Sequence, residues 1–182
     1  MVKSFFVTGT DTDVGKTLVA RTLLLEFAAH GLRCAGYKPI SAGCARTPDG
    51  LRNLDAVLLQ EAASLPLPYD LVNPYAYEPP IAPHIAASEA RDAITLKGLS
   101  DGLRQIEQAG AELVVVEGAG AGSCRSIANI CCRTGSSRRT CRSSWWWGPN
   151  WAVSTMPCSP SPPFATTTCR WRAGSSTGCT AP

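Results

Sequence analysis

Read for apolar and polar positions alone, the first 122 residues alternate between short continuous apolar runs and segments of helical period. Lys3 to Thr8 is too uniformly apolar for a half-exposed strand and predicts a buried one. From Gly15 to His30, Leu18, Val19, Thr22, Leu23 and Phe27 recur at helical spacing, and Gly31 supplies the stop. Cys34 to Tyr37 reads as a second short strand, ended by Lys38-Pro39. Two strands joined by a helix form a βαβ unit and imply a parallel sheet. Asn53 to Ala63 predicts a helix with Asp55 near its start. Tyr69 to His84, carrying Pro74, Pro79, Pro80 and Pro83, predicts an irregular connection. Leu99 to Ala109 is an amphipathic helix ended by Gly110, and Leu113 to Val116 is a core strand. The expected fold class is α/β, a doubly wound parallel sheet.

Composition divides the chain in two. The whole has a formal net charge of +3. All 14 acidic residues lie in residues 1–122 with ten of the 17 basic ones, whereas residues 123–182 hold seven Arg and no acid. The positive total is therefore a property of the tail and gives no case for a nucleic-acid partner. No apolar run approaches the roughly 18–20 residues of a membrane span, and the N-terminus has no signal-peptide core. Residues 1–122 contain only Cys34 and Cys44, which fits a reducing, cytoplasmic setting.

The stretch Gly9-Thr10-Asp11-Thr12-Asp13-Val14-Gly15-Lys16-Thr17 sits between the first strand and the first helix, the context a phosphate-binding loop needs. Backbone N–H groups of such a loop, with the positive end of the helix behind them, make a concave anion site. Gly15 allows close backbone approach, Lys16 reaches the β- and γ-phosphates, and Thr17 offers a hydroxyl to Mg²⁺. One more residue than usual separates Gly9 from Gly15, so Thr10 stands where the first Gly of the pattern normally sits. The fold expectation narrows to a P-loop NTPase-like sheet that binds a nucleoside triphosphate.

Lys38 stands where the second strand runs out. Ligands of open parallel sheets bind at the carboxyl ends of the strands, so Lys38 should face the same cleft as the loop; a solvated strand-end lysine is the alternative. Asp55 either favours its helix dipole or serves as a magnesium ligand. Glu117, at the tip of a buried strand and followed by Gly118-Ala119-Gly120, stands where a magnesium-organising carboxylate sits in such proteins. Thr17, Asp55 and Glu117 are all oxygen donors, as Mg²⁺ prefers. Ser41 and Gly43 lie in a loop. His84 has no partner identifiable from sequence and reads as structural.

Gly-Thr-Asp-Thr-Asp-Val-Gly-Lys-Thr, Gly36-Tyr37-Lys38-Pro39, Gly50-Leu51-Arg52-Asn53-Leu54-Asp55, Val72-Asn73-Pro74-Tyr75, Pro83-His84 and Val116-Glu117-Gly118-Ala119-Gly120 together resemble dethiobiotin synthetase. The resemblance covers residues 1–122 and implies an ATP- and Mg²⁺-dependent ligase of biotin biosynthesis. One amine of 7,8-diaminopelargonate takes up CO₂ as a carbamate, ATP phosphorylates it, and the other amine closes the ureido ring. It further implies that Asp13, Val14, Gly15, Lys16, Thr17 and Leu18 hold the ATP phosphates. Thr17, Asp55 and Glu117 would organise Mg²⁺, with Lys38 and Lys16 catalytic and Glu117, Gly118, Ala119 and Gly120 lining the cleft. Thr12 and Ser41 would contact substrate, Ser41 as the substitute where the family pattern leads us to expect another small hydroxyl residue. A cytoplasmic homodimer is implied for an in-frame protein.

From Ser123 the resemblance stops. The last 60 residues contain no Leu, Asp, Glu, Lys, His, Gln or Tyr, yet hold seven of the nine Cys and all five Trp. Neither a disulfide module nor a zinc site suits them, since nothing indicates secretion and no Cys-x-x-Cys pair occurs. The genetic code offers another account. Trp has the single codon TGG and Met the single codon ATG. With each third base moved to first place, Trp145 to Pro157 must encode Val-Val-Gly-x-x-Leu-Gly-x-x-x-x-Ala after one Leu, Val or Met. Permitted codons give Val-Val-Gly-Ala-Lys-Leu-Gly-Cys-Ile-Asn-His-Ala, similar to the family's next strand, loop and helix. Residues 1–122 are thus expected to be the N-terminal part of a P-loop ligase domain, and 123–182 a tail out of frame after a slip near Gly122. Such a tail, with little strand pattern, is expected to leave a sheet edge bare and the activity impaired. The competing readings are a cobyrinate amide synthase-like ligase of the same fold and a partitioning-type ATPase switch.

Overall fold

The computed structural model describes residues 2–9 and 13–119, together with the backbone of two strands, Trp145–Trp147 and Trp151–Thr155. Its main sheet is built from β1 (Lys3–Gly9), β2 (Cys34–Tyr37) and β7 (Leu113–Glu117), in the order β2-β7-β1 and all parallel. The alternation of strand side chains divides the core between the two faces. Leu113 and Val115 pack with Val7, Cys34, Ala20, Leu24, Leu59 and Ala62, against α1 (Lys16–Ala29) and α2 (Leu54–Ala62). Val114 and Val116 pack with Phe6, Ala35, Tyr37, Leu103 and Ile106, against α5 (Leu96–Gln108). A sheet covered by helices on both faces explains why its strands read as continuous apolar runs.

Register then places the functional end. Val7 is level with Glu117 on β7, and Tyr37 is level with Val116. The residues one step further, Lys38 after β2 and Glu117 at the tip of β7, therefore stand side by side, level with Val7 near the end of β1. The fold class and the shared strand-end cleft are as the sequence predicts.

Three features differ. The stretch from Tyr69 to His84 is not wholly irregular: it holds α3 (Tyr69–Val72), the two-residue strand β6 (Tyr75–Ala76) paired parallel with β3 (Ile40–Ser41), and the start of α4 (Pro83–Glu89). A hairpin of β4 (Ala45–Thr47) and β5 (Gly50–Arg52) projects between β3 and α2. Lastly, the sheet is mixed. The tail contributes β8 (Trp145–Trp147) and β9 (Trp151–Thr155), and β9 pairs antiparallel with β1, Phe5 opposite Thr155 and Gly9 opposite Trp151. The edge of β1 expected to be bare is covered over these residues. An antiparallel ladder is made of backbone groups and needs only an extended partner, so a segment of poor strand composition can still form it.

Candidate functional site

A cleft of about 320 Å³ opens at the carboxyl ends of β1, β2 and β7, lined by Asp13, Gly15, Lys16, Thr17, Lys38, Asp55 and Glu117. Gly15 is the N-cap of α1 and has φ 91°, ψ 19°, left-handed backbone that glycine adopts without strain. Asp13 also has a positive φ of 56°. The turn they make leads into the first helical residues, Lys16 and Thr17, so the start of α1 and the Lys16 side chain border the cleft. Lys16 is 7% exposed. Val14 packs toward Gly9, where an added methyl would lie 2.5 Å from its Cγ2.

The centre of the cleft is a charge cluster. Lys38, 4% exposed, points its Nζ at Glu117 Oε1 (2.8 Å) and Asp55 Oδ2 (2.9 Å). Thr17 Oγ1 donates to the same Glu117 Oε1 at 2.9 Å. Burial pushes the Lys38 pKa down, but the charges of Glu117 and Asp55 and their hydrogen bonds outweigh it and hold the ammonium above its ordinary value. Burial likewise raises Asp55, and the Lys38 charge overcomes it, with help from Thr17 and Lys16, leaving the carboxyl below its ordinary value. Lys38 is therefore a fixed cation at neutral pH. It is no proton acceptor.

Glu117 is 1% exposed, and its Oε2 is buried without a hydrogen-bond partner. An orphaned carboxylate oxygen is costly to bury. Glu117 lines the cleft with Thr17 and Asp55, a hard-oxygen donor set that fits a magnesium ion. Gly118 N–H donates to the Val7 carbonyl at 3.2 Å, extending the β7–β1 contact past the strand, and half-buried Ala119 follows.

Other sequence-predicted residues lie elsewhere. Leu18 is in α1 with its side chain 68% exposed, outside the cleft lining. Ser41 is buried below the cleft, and its hydroxyl donates to Asn73 Oδ1 at 2.7 Å and lies 3.2 Å from Cys44 Sγ. His84 is exposed, second in α4. Thr12 and Gly120 lie outside the described residues. Sequence reading assigned no role to Asn73 and Tyr69, whose buried hydrogen bonds reach the backbone on both sides of the cleft. Their only prior signal was membership of the Val72-Asn73-Pro74-Tyr75 motif and its neighbourhood.

A family model described as an AAA domain matches residues 3–129. Over 120 residues the chain is 93% identical to the ATP-dependent dethiobiotin synthetase BioD of Aeromonas salmonicida (strain A449), covering 66% of this chain and 53% of that protein. It is 50% identical over 120 residues to ATP-dependent dethiobiotin synthetase BioD 1 of Escherichia coli (strain K12), with the same shares covered, 66% and 53%. With the BioD of Pseudoalteromonas translucida (strain TAC 125) it shares 46% identity over 119 residues, 65% of this chain and 52% of that one. The chain spans about half the length of the curated relatives it matches.

Proposed function

The chain belongs to the AAA domain family, and from that premise we propose that residues 1–122 form the phosphate-handling part of an ATP-dependent ligase that closes the ureido ring of dethiobiotin. The observation that carries the reading is the buried Lys38 ammonium between Asp55 and Glu117, beside a left-handed Gly15 at a helix start. High identity to ATP-dependent dethiobiotin synthetases supports the reading, and the resemblance implies 7,8-diaminopelargonate and CO₂ as substrates.

The parts are assigned as follows in this reading. ATP phosphates lie over the Asp13–Leu18 backbone and the start of α1, with Lys16 on the terminal phosphates. Thr17, Asp55 and Glu117 would hold Mg²⁺, which would supply neutralisation of charge on the transferring phosphoryl group. Lys38, permanently protonated, stabilises the anionic carbamate and its phosphorylated form as negative charge shifts. By resemblance alone Gly118, Ala119 and Gly120 are assigned to the substrate side of the cleft, and Thr12 and Ser41 to substrate contact. The two buried free thiols, Cys34 and Cys44, support a reducing cytoplasm. Among the described residues no helix is long and apolar enough to cross a membrane. We further read residues 123–182 as out-of-frame sequence. The in-frame protein would be a homodimer and the written form catalytically impaired.

The test is ADP release by a protein with the frame restored near Gly122, with and without diaminopelargonate and bicarbonate. Release that requires both supports the proposal. Release independent of diaminopelargonate overturns it, in favour of another ATPase of this fold.

A further inference from the structure

Two buried side chains outside the cleft lining join the cleft's opposing charges a second time. Asn73, 3% exposed, follows α3. Its Nδ2 donates to the Lys38 carbonyl at 2.6 Å, while the Lys38 N–H donates to the Val72 carbonyl at 2.9 Å. The backbone of Lys38 is thus gripped on both sides by residues 72 and 73. Asn73 Oδ1 accepts from Ser41 Oγ at 2.7 Å and from the Tyr69 hydroxyl at 3.0 Å. The Tyr69 hydroxyl in turn accepts from the Asn53 N–H at 2.7 Å. Asn53 is the N-cap of α2, its Oδ1 accepting from Ala56 N–H at 3.3 Å, and Asp55 sits in that helix's first turn.

From Asp55 the path returns to Lys38 through the 2.9 Å ion pair. The result is a closed ring: Lys38 backbone, Asn73, Tyr69, the α2 cap, Asp55, Lys38 side chain. Each polar atom along the relay has a role only its chemistry can fill. The carbonyl needs a donor, the two hydroxyls need an acceptor, and this fixes which end of the Asn73 amide points where. The Tyr69 phenol donates once and accepts once. Arg52 stacks 4.2 Å from the centre of its ring and holds the ring's plane. Buried networks satisfied in this way hold one geometry, because any shift leaves a desolvated group unpaired.

We propose that Asn73 and Tyr69 are positioning residues that set the separation between Lys38 and the Asp55 carboxylate, and through it the shape of the metal–phosphate site. This deepens the reading above and rests on its assignment of Asp55 as a metal ligand. Neither residue is among those that line the cleft.

Tyr69→Phe removes one hydroxyl from the relay and leaves the ring in place. Tyr77→Phe is the matched control: Tyr77 is also buried, and its hydroxyl donates to Asp92 Oδ2 at 3.0 Å, outside the relay. In the 182-residue chain, Mn²⁺ binding in the presence of saturating ATP is measured by electron paramagnetic resonance well below the unfolding midpoint. Both variants should lose a similar, small amount of thermal stability. Tyr69→Phe should bind Mn²⁺ on the order of tenfold more weakly, as loss of outer-shell support does, whereas Tyr77→Phe stays within about twofold of the original. Asn73→Ala opens the same ring elsewhere and should match or exceed the Tyr69→Phe loss, so the question survives if one variant fails to fold. Equal Mn²⁺ affinities for Tyr69→Phe and Tyr77→Phe overturn the proposal, as does an unmodified chain that binds no Mn²⁺ with ATP. A frame-restored protein without diaminopelargonate-dependent turnover, but with the Mn²⁺ contrast intact, overturns the proposed reaction alone.

Discussion

At the scale of single residues the site is a balance of two lysines against two carboxylates, and each member answers to a different experiment. Lys16 borders the phosphate cleft at the helix start. Lys16→Ala should cost several kcal/mol of barrier, on the order of 10³-fold in ADP release by the frame-restored protein. Lys38→Ala should reduce turnover far more than it weakens ATP binding, because its partners are the carboxylates of the reaction centre. Unchanged turnover in that variant would remove Lys38 from the mechanism. The ion pair also sets a pH window. Asp55 is held below its ordinary 3.8, so it adds stability above that value and loses it as acid carries the pH through the lowered value. Lys38 is held above its ordinary 10.5, so its contribution is complete below that value and lost only as base carries the pH above it. The difference in urea midpoint between the original chain and Asp55→Asn should therefore be largest near neutral pH and shrink toward pH 3. A difference that is flat across that range would mean the pair adds no stability.

At the scale of elements, what the sequence could express was period and punctuation. Cys34–Tyr37 and Leu113–Glu117 were legible because a continuous apolar run has one use in a sheet covered on both faces. Helix α5 begins at Leu96, three residues before the predicted Leu99, because Thr95 caps it, accepting from Gly98 N–H, ahead of the first apolar repeat. Elements α3 and β6 have four and two residues, too few to show any period, and Pro83 opens α4 at a first-turn position where its missing N–H costs nothing. The phosphate loop, Lys38, Asp55 and Glu117 were found by type and position along strands. The Asn73–Tyr69 relay was not, since the bonds that tie it to Asn53 and to Lys38 span 16 and 35 residues and carry no spacing rule. Close packing gives a further test here. A Cβ on Gly36 would lie 2.7 Å from Leu59 Cβ and 3.2 Å from the Leu59 carbonyl oxygen. The second contact is backbone and yields little, so Gly36→Ala should push α2 off β2 and cost about 1–3 kcal/mol. Equilibrium unfolding in urea measures it, and an unchanged midpoint would show that α2 moves freely over the sheet.

At the scale of the whole molecule, the question is what the last third adds to a sheet that residues 1–122 leave unfinished. Strands β9 and β8 attach antiparallel to the outer edge of β1. A parallel strand would need a crossover connection, whereas a short hairpin can only lie antiparallel or start a new edge. This attachment covers backbone groups of β1, and among the described residues the cleft lining falls between Asp13 and Glu117. The groups proposed to hold phosphate and metal therefore all lie in residues 13–117. Those that by resemblance recognise adenine and receive substrate across a dimer would come from sequence the tail replaces. Binding and turnover should separate accordingly. The 182-residue form should bind Mn²⁺ with ATP yet show no diaminopelargonate-dependent ADP release, and sedimentation should find no dimer like that of the frame-restored protein. Shifting the frame by one base near Gly122 should restore release and dimerisation together. Equal turnover by the two forms would refute the out-of-frame account of residues 123–182, because a tail with no acid, no lysine and no leucine would then be completing the site.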